Sequence, residues 1–207
     1  MYDSYQIVRD FESALCEYTG APYAVTTTSC TMALLLACKD YIENVKVMYW
    51  PNGPELMIPR RTYVGVPQSI IHAGAKVRFS EEEWIGKYQL FPSPIWDSAR
   101  YFTSNMYIAG QFQCVSFHSS KILGDTQGGA ILHDNPEADA WLRKARFDGR
   151  TEGVTPKNDS IEMLGYHCYM SPDVAARLLL KLSVLPEYNE PLPNDNYPDL
   201  SIMEIFK

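Results

Sequence analysis

Apolar residues along this chain alternate between helical and strand-like spacing. In "VRDFESALCEYTG", Val8, Phe11, Leu15 and Tyr18 recur on one helical face, and Gly20 stands where a left-handed cap would stop the helix. "PYAVTTT" predicts a short buried strand. "SCTMALLLACKDYIE" predicts a helix capped near Ser29. Either "VKVMYW" or "ELMIP" supplies the next strand, "GVPQSIIHAG" a helix ending at Gly74, and "AKVRF" a further strand. "PIWD", "FQCVSFH" and "GGAILHD" read as strands. "NPEADAWLRKARFDG" reads as a helix with Asn135 as cap, Pro136 in its first turn and Gly149 at its end, and "PDVAARLLLKLSVL" forms the last helix, entered from Ser171.

Strands and helices alternate, so the expected class is α/β, a mostly parallel central sheet with helices on both faces. Residues 1–186 form one large domain in this reading. The tail "EYNEPLPNDNYPDLSIMEIFK", residues 187–207, is rich in Pro, Asn and Asp and reads as an extended C-terminal arm.

A chain of 207 residues with 46% hydrophobic residues is long enough for a packed core. A net charge of −7 argues against a general partner role with nucleic acid or anionic membranes. The five cysteines show neither C-x-x-C nor metal-like spacing with histidine, which predicts a reducing compartment without disulfides and no metal site. The start lacks an apolar signal region and no stretch is long enough to span a bilayer, so a cytoplasmic location is expected.

In open α/β sheets ligands bind beyond the carboxyl ends of strands. "TTTSCT", "RRTY", "IWDSAR" and "SFHSSK" occupy such ends. The first runs from strand into helix through small hydroxyl residues, which suits a phosphate and equally suits a plain helix cap. Asp97 could pair with a protonated ring nitrogen or cap the next turn. Lys121, with Ser116 five residues earlier, could form a Schiff base or be a solvated strand-end charge. Taken together with Tyr63 as a flat partner, these pieces fit pyridoxal 5′-phosphate (PLP), which needs a lysine, an acid, an anion cradle and a surface for its ring.

The same segments resemble the DegT/StrS sugar aminotransferases, PLP enzymes of the aspartate aminotransferase fold type I. "FESALCEYTGAPYAVTTTSCTMALLLA" is similar to the family's opening helix, strand and Ser-Gly-Thr phosphate turn, and "IPRRTYVGVPQSIIHAGAKVRF" to its next block. "WDSAR" stands at its Asp-Ala-Ala-Gln motif, "SFHSSKILGDTQGGAILHD" resembles its lysine motif, and "GYHCYMSPDVAARLLLKL" its Gly-Tyr-Asn segment and long helix. The likeness runs over about residues 8–186. It implies that Lys121 forms the internal aldimine and moves protons, Asp97 holds the pyridinium, and Tyr63 stacks on the ring. Cys30, Thr31 and Ser116 would bind the phosphate. The implied reaction carries an amino group from an amino acid, typically glutamate, to a nucleotide-linked keto sugar, in a homodimer.

This chain departs from the family pattern at several points. Cys30 replaces the glycine of the phosphate turn, Arg100 takes the place of the glutamine or histidine near the ring hydroxyl, and His167 that of an asparagine reaching the partner's phosphate. Between about residues 80 and 94 there is room for one connection where the family has an extra strand and helix, and the family's small C-terminal domain is expected to be absent. Lys121 argues for transamination over the dehydratase branch, which has histidine there. The competing readings are a non-catalytic remnant of the fold used for binding or assembly, and a nucleotide-binding α/β domain, which lacks the G-x-x-x-x-G-K and G-x-G-x-x-G motifs.

Overall fold

A computed structural model describes residues 3–44, 53–194 and 197–206. Helix α1 (Gln6–Thr19) leads into strand β1 (Tyr23–Thr27) and helix α2 (Cys30–Asn44). Strand β2 (Glu55–Pro59), helix α3 (Gly65–Ala73) and strand β3 (Lys76–Ser80) follow. Strands β4 (Tyr88–Gln89), β5 (Ile95–Asp97), β6 (Phe112–Ser116) and β7 (Gly129–His133) precede helices α4 (Pro136–Ala145) and α5 (Pro172–Leu182). "ELMIP" is therefore the strand at β2, whereas "VKVMYW" (45–50) lies outside the described residues.

The helix boundaries have local causes. Gly20 and Gly74 take left-handed conformations and end α1 and α3, with their N–H groups returning to the last turn. Asn135 accepts from the Glu137 and Ala138 amides to start α4, with Pro136 next to it. α4 stops at Ala145, short of the expected Gly149, whose positive φ instead closes the turn that follows, its N–H donating to the Lys144 carbonyl.

The main sheet has the order β1-β7-β6-β5-β4, with β2 and β3 as a separate parallel pair. The α/β class agrees with expectation, but the main sheet is mixed rather than mostly parallel, because β4 and β7 run against their neighbours. β7 runs against both β1 and β6, β4 runs against β5, and only β5 and β6 pair in parallel within the main sheet. An antiparallel bridge from Met57 to Phe91, just past β4, gives β2 and β3 the same sense as β5. The segment between about residues 80 and 94 is more than a single connection. It contains β4, which folds back on β5 through a short turn because five residues cannot make a parallel crossover.

Alternate residues of β1, β6 and β7 feed two cores. Val25, Cys114 and Ile131 face a core filled by Leu34, Leu36, Ile70 and Leu142 of α2, α3 and α4. Ala24, Val115 and Leu132 face the other, built on Phe11 and Leu15 of α1 and Leu178 and Leu182 of α5. Helices thus cover both faces. Between α1 and α4 a buried ion pair ties the layers: Arg146 bonds Glu12, and also donates to the Thr26 carbonyl at 2.8 Å.

Beyond α5 the arm returns along the carboxyl edge of the sheet. The Leu192 amide donates to the Arg100 carbonyl (2.9 Å), and the Leu200 amide to the Arg60 carbonyl (2.9 Å). Leu200 is fully buried, and Asp199 pairs with Arg60 at 3.5 Å. All five cysteines are free, four of them buried. Among the described residues no helix is long and apolar enough to cross a membrane, and no cluster of metal-ligating side chains occurs.

Candidate active site

The sheet delivers its chemistry to one edge. The carboxyl ends of β1, β2, β5 and β6 and the amino end of β7 line a cavity of about 390 Å³, within the range of small-molecule sites. β1 supplies Ser29, Cys30 and Thr31, β2 supplies Thr62 and Tyr63, and β5 supplies Asp97 and Arg100. β6 supplies Ser116 and the loop bearing Lys121, and β7 is preceded by Gly128.

Thr31 enters the first turn of α2, whose leading amides have no partner within the helix and point toward negative charge. Ser29 caps that turn, its hydroxyl accepting from the Met32 amide at 3.2 Å. Cys30 is not among the residues with positive φ, so it keeps ordinary L-residue backbone and its amide remains part of the turn. Burial pushes its thiol well above the usual range, so it is a neutral packing group.

Asp97 is buried, and each of its carboxylate oxygens has a donor. The Ala99 amide donates to Oδ1 at 2.9 Å and the Tyr88 hydroxyl to Oδ2 at 3.0 Å. Burial raises its proton affinity, and the Ala99 amide, the Tyr88 hydroxyl and the Lys121 charge each oppose that rise without cancelling it. Lys121 also acts electrostatically on the Cys30 thiol. The lysine is therefore half-buried beside the buried acid rather than a solvated strand-end charge.

The loop that carries Lys121 is pinned from both ends. The Lys121 amide donates to the His118 carbonyl (2.9 Å), and the Asp125 amide to that of Phe117 (2.8 Å). From α5, Arg177 and Lys181 hold the Asp125 carboxylate at 2.9 and 2.8 Å, keeping it far below the usual carboxylate range, and Lys181 also donates to the Gly124 carbonyl at 2.6 Å.

Seven of the eight expected site residues meet in this cavity: Cys30, Thr31, Tyr63, Asp97, Arg100, Ser116 and Lys121. Arg100 is buried, and its Nε donates to the Pro193 carbonyl of the arm at 2.5 Å. Tyr63 is about half exposed at the mouth. His167 lies elsewhere: it is exposed and bonds Asp148 through Nδ1 at 2.8 Å.

Sequence reasoning missed three aromatic groups. Tyr88 reaches Asp97 from β4. Trp84 lines the cavity and packs edge-on against Tyr88, with centroids 4.8 Å apart. Tyr197 comes from the arm, stacked on Trp84 (6.4 Å, 11°) and edge-on to Tyr63 (6.4 Å, 62°). Their segments have no regular spacing; the only local signal was the aromatic content of "EEEWIGKYQLFPS" and "NDNYPDL".

A mixed α/β domain with a lysine, a buried acid and a helix N-terminus converging at one sheet edge defines a class of cofactor-dependent group-transfer folds. The chain belongs to the DegT/DnrJ/EryC1/StrS aminotransferase family, whose profile matches residues 1–85 and 103–191. Residues 86–102, with β4, Asp97 and Arg100, fall between the matched stretches. The UDP-4-amino-4,6-dideoxy-N-acetyl-beta-L-altrosamine transaminase of Campylobacter jejuni is 26% identical over 83% of this chain. The chain spans about half of that relative's length, 54%. Among solved structures, AtS13 from Actinomadura melliaura superposes with a TM-score of 0.74 at 17% identity, covering 86% of this chain and 60% of AtS13. PseC from Helicobacter pylori, an aminotransferase involved in the biosynthesis of pseudoaminic acid, gives 0.69 at 15% identity, covering 90% of this chain and 64% of PseC. These superpositions bear out the fold.

Proposed function

We propose that this chain carries the cofactor-binding half-site of a PLP-dependent sugar aminotransferase, moving an amino group from an amino acid, glutamate by preference, to a nucleotide-linked keto sugar. The observation that carries the reading is the convergence of Lys121, Asp97 and the first turn of α2 on one cavity. The donor set fits PLP: an amine for its aldehyde, a buried anion for its ring nitrogen, and helix amides with the Ser116 hydroxyl for its phosphate. When bound, that cofactor supplies an electron-withdrawing ring that stabilises negative charge at the carbon losing its proton.

The protein's part follows from its side chains. Lys121 Nζ would hold the cofactor's aldehyde carbon, the carbonyl oxygen leaving as water, and would move a proton at the substrate carbon. Asp97, buried from water, would pair with the ring nitrogen and keep it cationic. The face of Tyr63 would orient the ring, and the Arg100 guanidinium would act on its hydroxyl. The Campylobacter relative, a UDP-4-amino-4,6-dideoxy-N-acetyl-beta-L-altrosamine transaminase, supports a UDP-linked sugar as the first acceptor to test.

We further propose a cytoplasmic homodimer. His167, exposed and away from its own cavity, is then available to a neighbouring site. The direct test is visible absorption after incubation with PLP and desalting. A retained band that bleaches on adding glutamate supports amino transfer. A band indifferent to every amino donor overturns it in favour of a binding remnant.

A further inference from the structure

The Asp97 carboxylate is the terminus of a hydrogen-bond chain that crosses the sheet edge. The Tyr88 hydroxyl is 2.6 Å from Thr62 Oγ1 and 3.0 Å from Asp97 Oδ2. A phenol has one proton; donated to Asp97, it leaves the Tyr88 oxygen to accept from Thr62. The order is therefore Thr62 to Tyr88 to Asp97. Tyr88 and Thr62 are each 1% exposed, so no bulk water competes for these bonds.

Each member comes from a different strand end. Thr62 follows β2, Tyr88 is on β4 and Asp97 closes β5, opposite Tyr88 in the antiparallel register. Trp84 packs on the Tyr88 ring while its indole N–H donates to the Arg61 carbonyl at 2.9 Å, which fixes the ring that carries the hydroxyl. The Ala99 amide occupies the other oxygen of Asp97. Each carboxylate oxygen thus has one protein donor and keeps a lone pair for the cavity.

We infer that Tyr88 is a positioning residue that orients the Asp97 carboxylate and holds it in its anionic form for a cationic ring nitrogen, with Thr62 setting the direction of the Tyr88 proton. This rests on the reading of Asp97 as the ring-nitrogen partner. In the buried pocket of Asp97, a donated hydrogen bond favours the charged form against desolvation. Without it the carboxylate holds a proton more tightly and yields less charge to the ring.

Tyr88→Phe keeps the ring and removes the hydroxyl. Two measurements are made on the full chain beside Asp97→Asn. The first, on cofactor-free protein, is the carboxyl ¹³C titration of Asp97; the second, on protein loaded with ¹⁵N-labelled PLP, is the ring-nitrogen resonance. Tyr88→Phe is expected to move the Asp97 midpoint upward, shift the ring nitrogen toward the neutral pyridine position, and weaken PLP binding roughly tenfold, as for loss of one hydrogen bond to a charged group. Should Tyr88→Phe not fold, Thr62→Val and Thr62→Ser take its place, with Val shifting both signals the same way and Ser restoring them. An unmoved Asp97 midpoint and ring nitrogen in Tyr88→Phe, or in Thr62→Val where that variant stands in, overturns the inference while leaving the Asp97 assignment intact. If instead Asp97→Asn leaves the ring nitrogen unchanged, the underlying reading of Asp97 is lost, and the inference with it.

Discussion

A side-chain carbon placed on Gly129 would lie 2.4 Å from the backbone nitrogen of Cys30. The start of β7 and the start of α2 are thus in backbone contact, and glycine is what permits it. Neither atom can swing away as a flexible side chain would. Gly129→Ala is expected to displace the first turn of α2, at a cost of about 1–3 kcal/mol for overpacking, and to weaken binding of phosphate-bearing ligands. Thermal melts with and without PLP check this. A normal melting temperature with normal PLP affinity would show that the contact has no role in the anion cradle.

Lys121 sits half-buried next to Asp97 and Cys30. Lys121→Ala is expected to leave the cradle and the acid in place, so PLP still binds reversibly in equilibrium dialysis. The visible band should disappear on desalting, because no covalent hold remains. Retention of the band in the variant would assign the covalent role to another amine.

The site was legible in the sequence to the extent that strand ends were. Asp97, Ser116 and Lys121 follow apolar runs that end in polar residues, and the co-directional sense of β1, β2, β5 and β6 brings those ends together. β4 was not legible: two paired residues give no alternation, and Tyr88 is buried because β5 and Trp84 cover it, not because of its neighbours in sequence. Tyr197 was hidden for a related reason. A polar, proline-rich arm reads as solvent-exposed, yet buried Leu200 and backbone bonds with Arg60 and Arg100 hold it onto the domain. The antiparallel sense of β7 also left no local trace, since both parallel and antiparallel buried strands read as apolar runs.

Burial gives Asp97 a raised folded pKa in the cofactor-free protein, so ionising it opposes folding. The sign follows from linkage: stability is complete below the unfolded value of 3.8 and falls as pH rises toward the folded value. Asp97→Asn removes that dependence. The variant is expected to melt higher than the parent at pH 7, with the difference closing below pH ~4, while its transamination is suppressed. A variant less stable than the parent at neutral pH would contradict the assignment of a strained buried acid.

Glu12 and Arg146 form the opposite case, the buried centre of an ion network that also holds Arg143 and Glu152. Glu12 lies below its usual range: burial alone would raise it, but Arg146 and Arg143 outweigh that effect. Its contribution to stability is present above the unfolded value of 4.5 and is lost as pH falls through the lower folded value. Glu12→Gln leaves the buried Arg146 charge only the more distant Glu152 carboxylate at 3.5 Å, an expected cost of about 3 kcal/mol. Urea denaturation of Glu12→Gln beside the double variant Glu12→Gln/Arg146→Met separates pair loss from charge stranding. The double variant should be the more stable of the two.

Tyr197 closes the mouth of the cavity from outside the main domain, through ring contacts with Trp84 and Tyr63. Aromatic pairs of this separation contribute about 0.5–1.5 kcal/mol beyond area, so Tyr197→Ala is expected to weaken PLP retention roughly threefold and Tyr197→Phe to leave it unchanged. The anchor can be tested apart from the ring. Leu200→Ala should loosen the arm and reproduce the Tyr197→Ala effect, because nothing else apolar in the arm is as deeply buried beside Arg60 and Asp199. Fluorescence titration with PLP measures all three variants. Equal affinities throughout would make the arm a bystander at the site, whereas a loss in Leu200→Ala alone would mean that backbone bonds such as that from Arg100 Nε to the Pro193 carbonyl, not the Tyr197 ring, carry the effect.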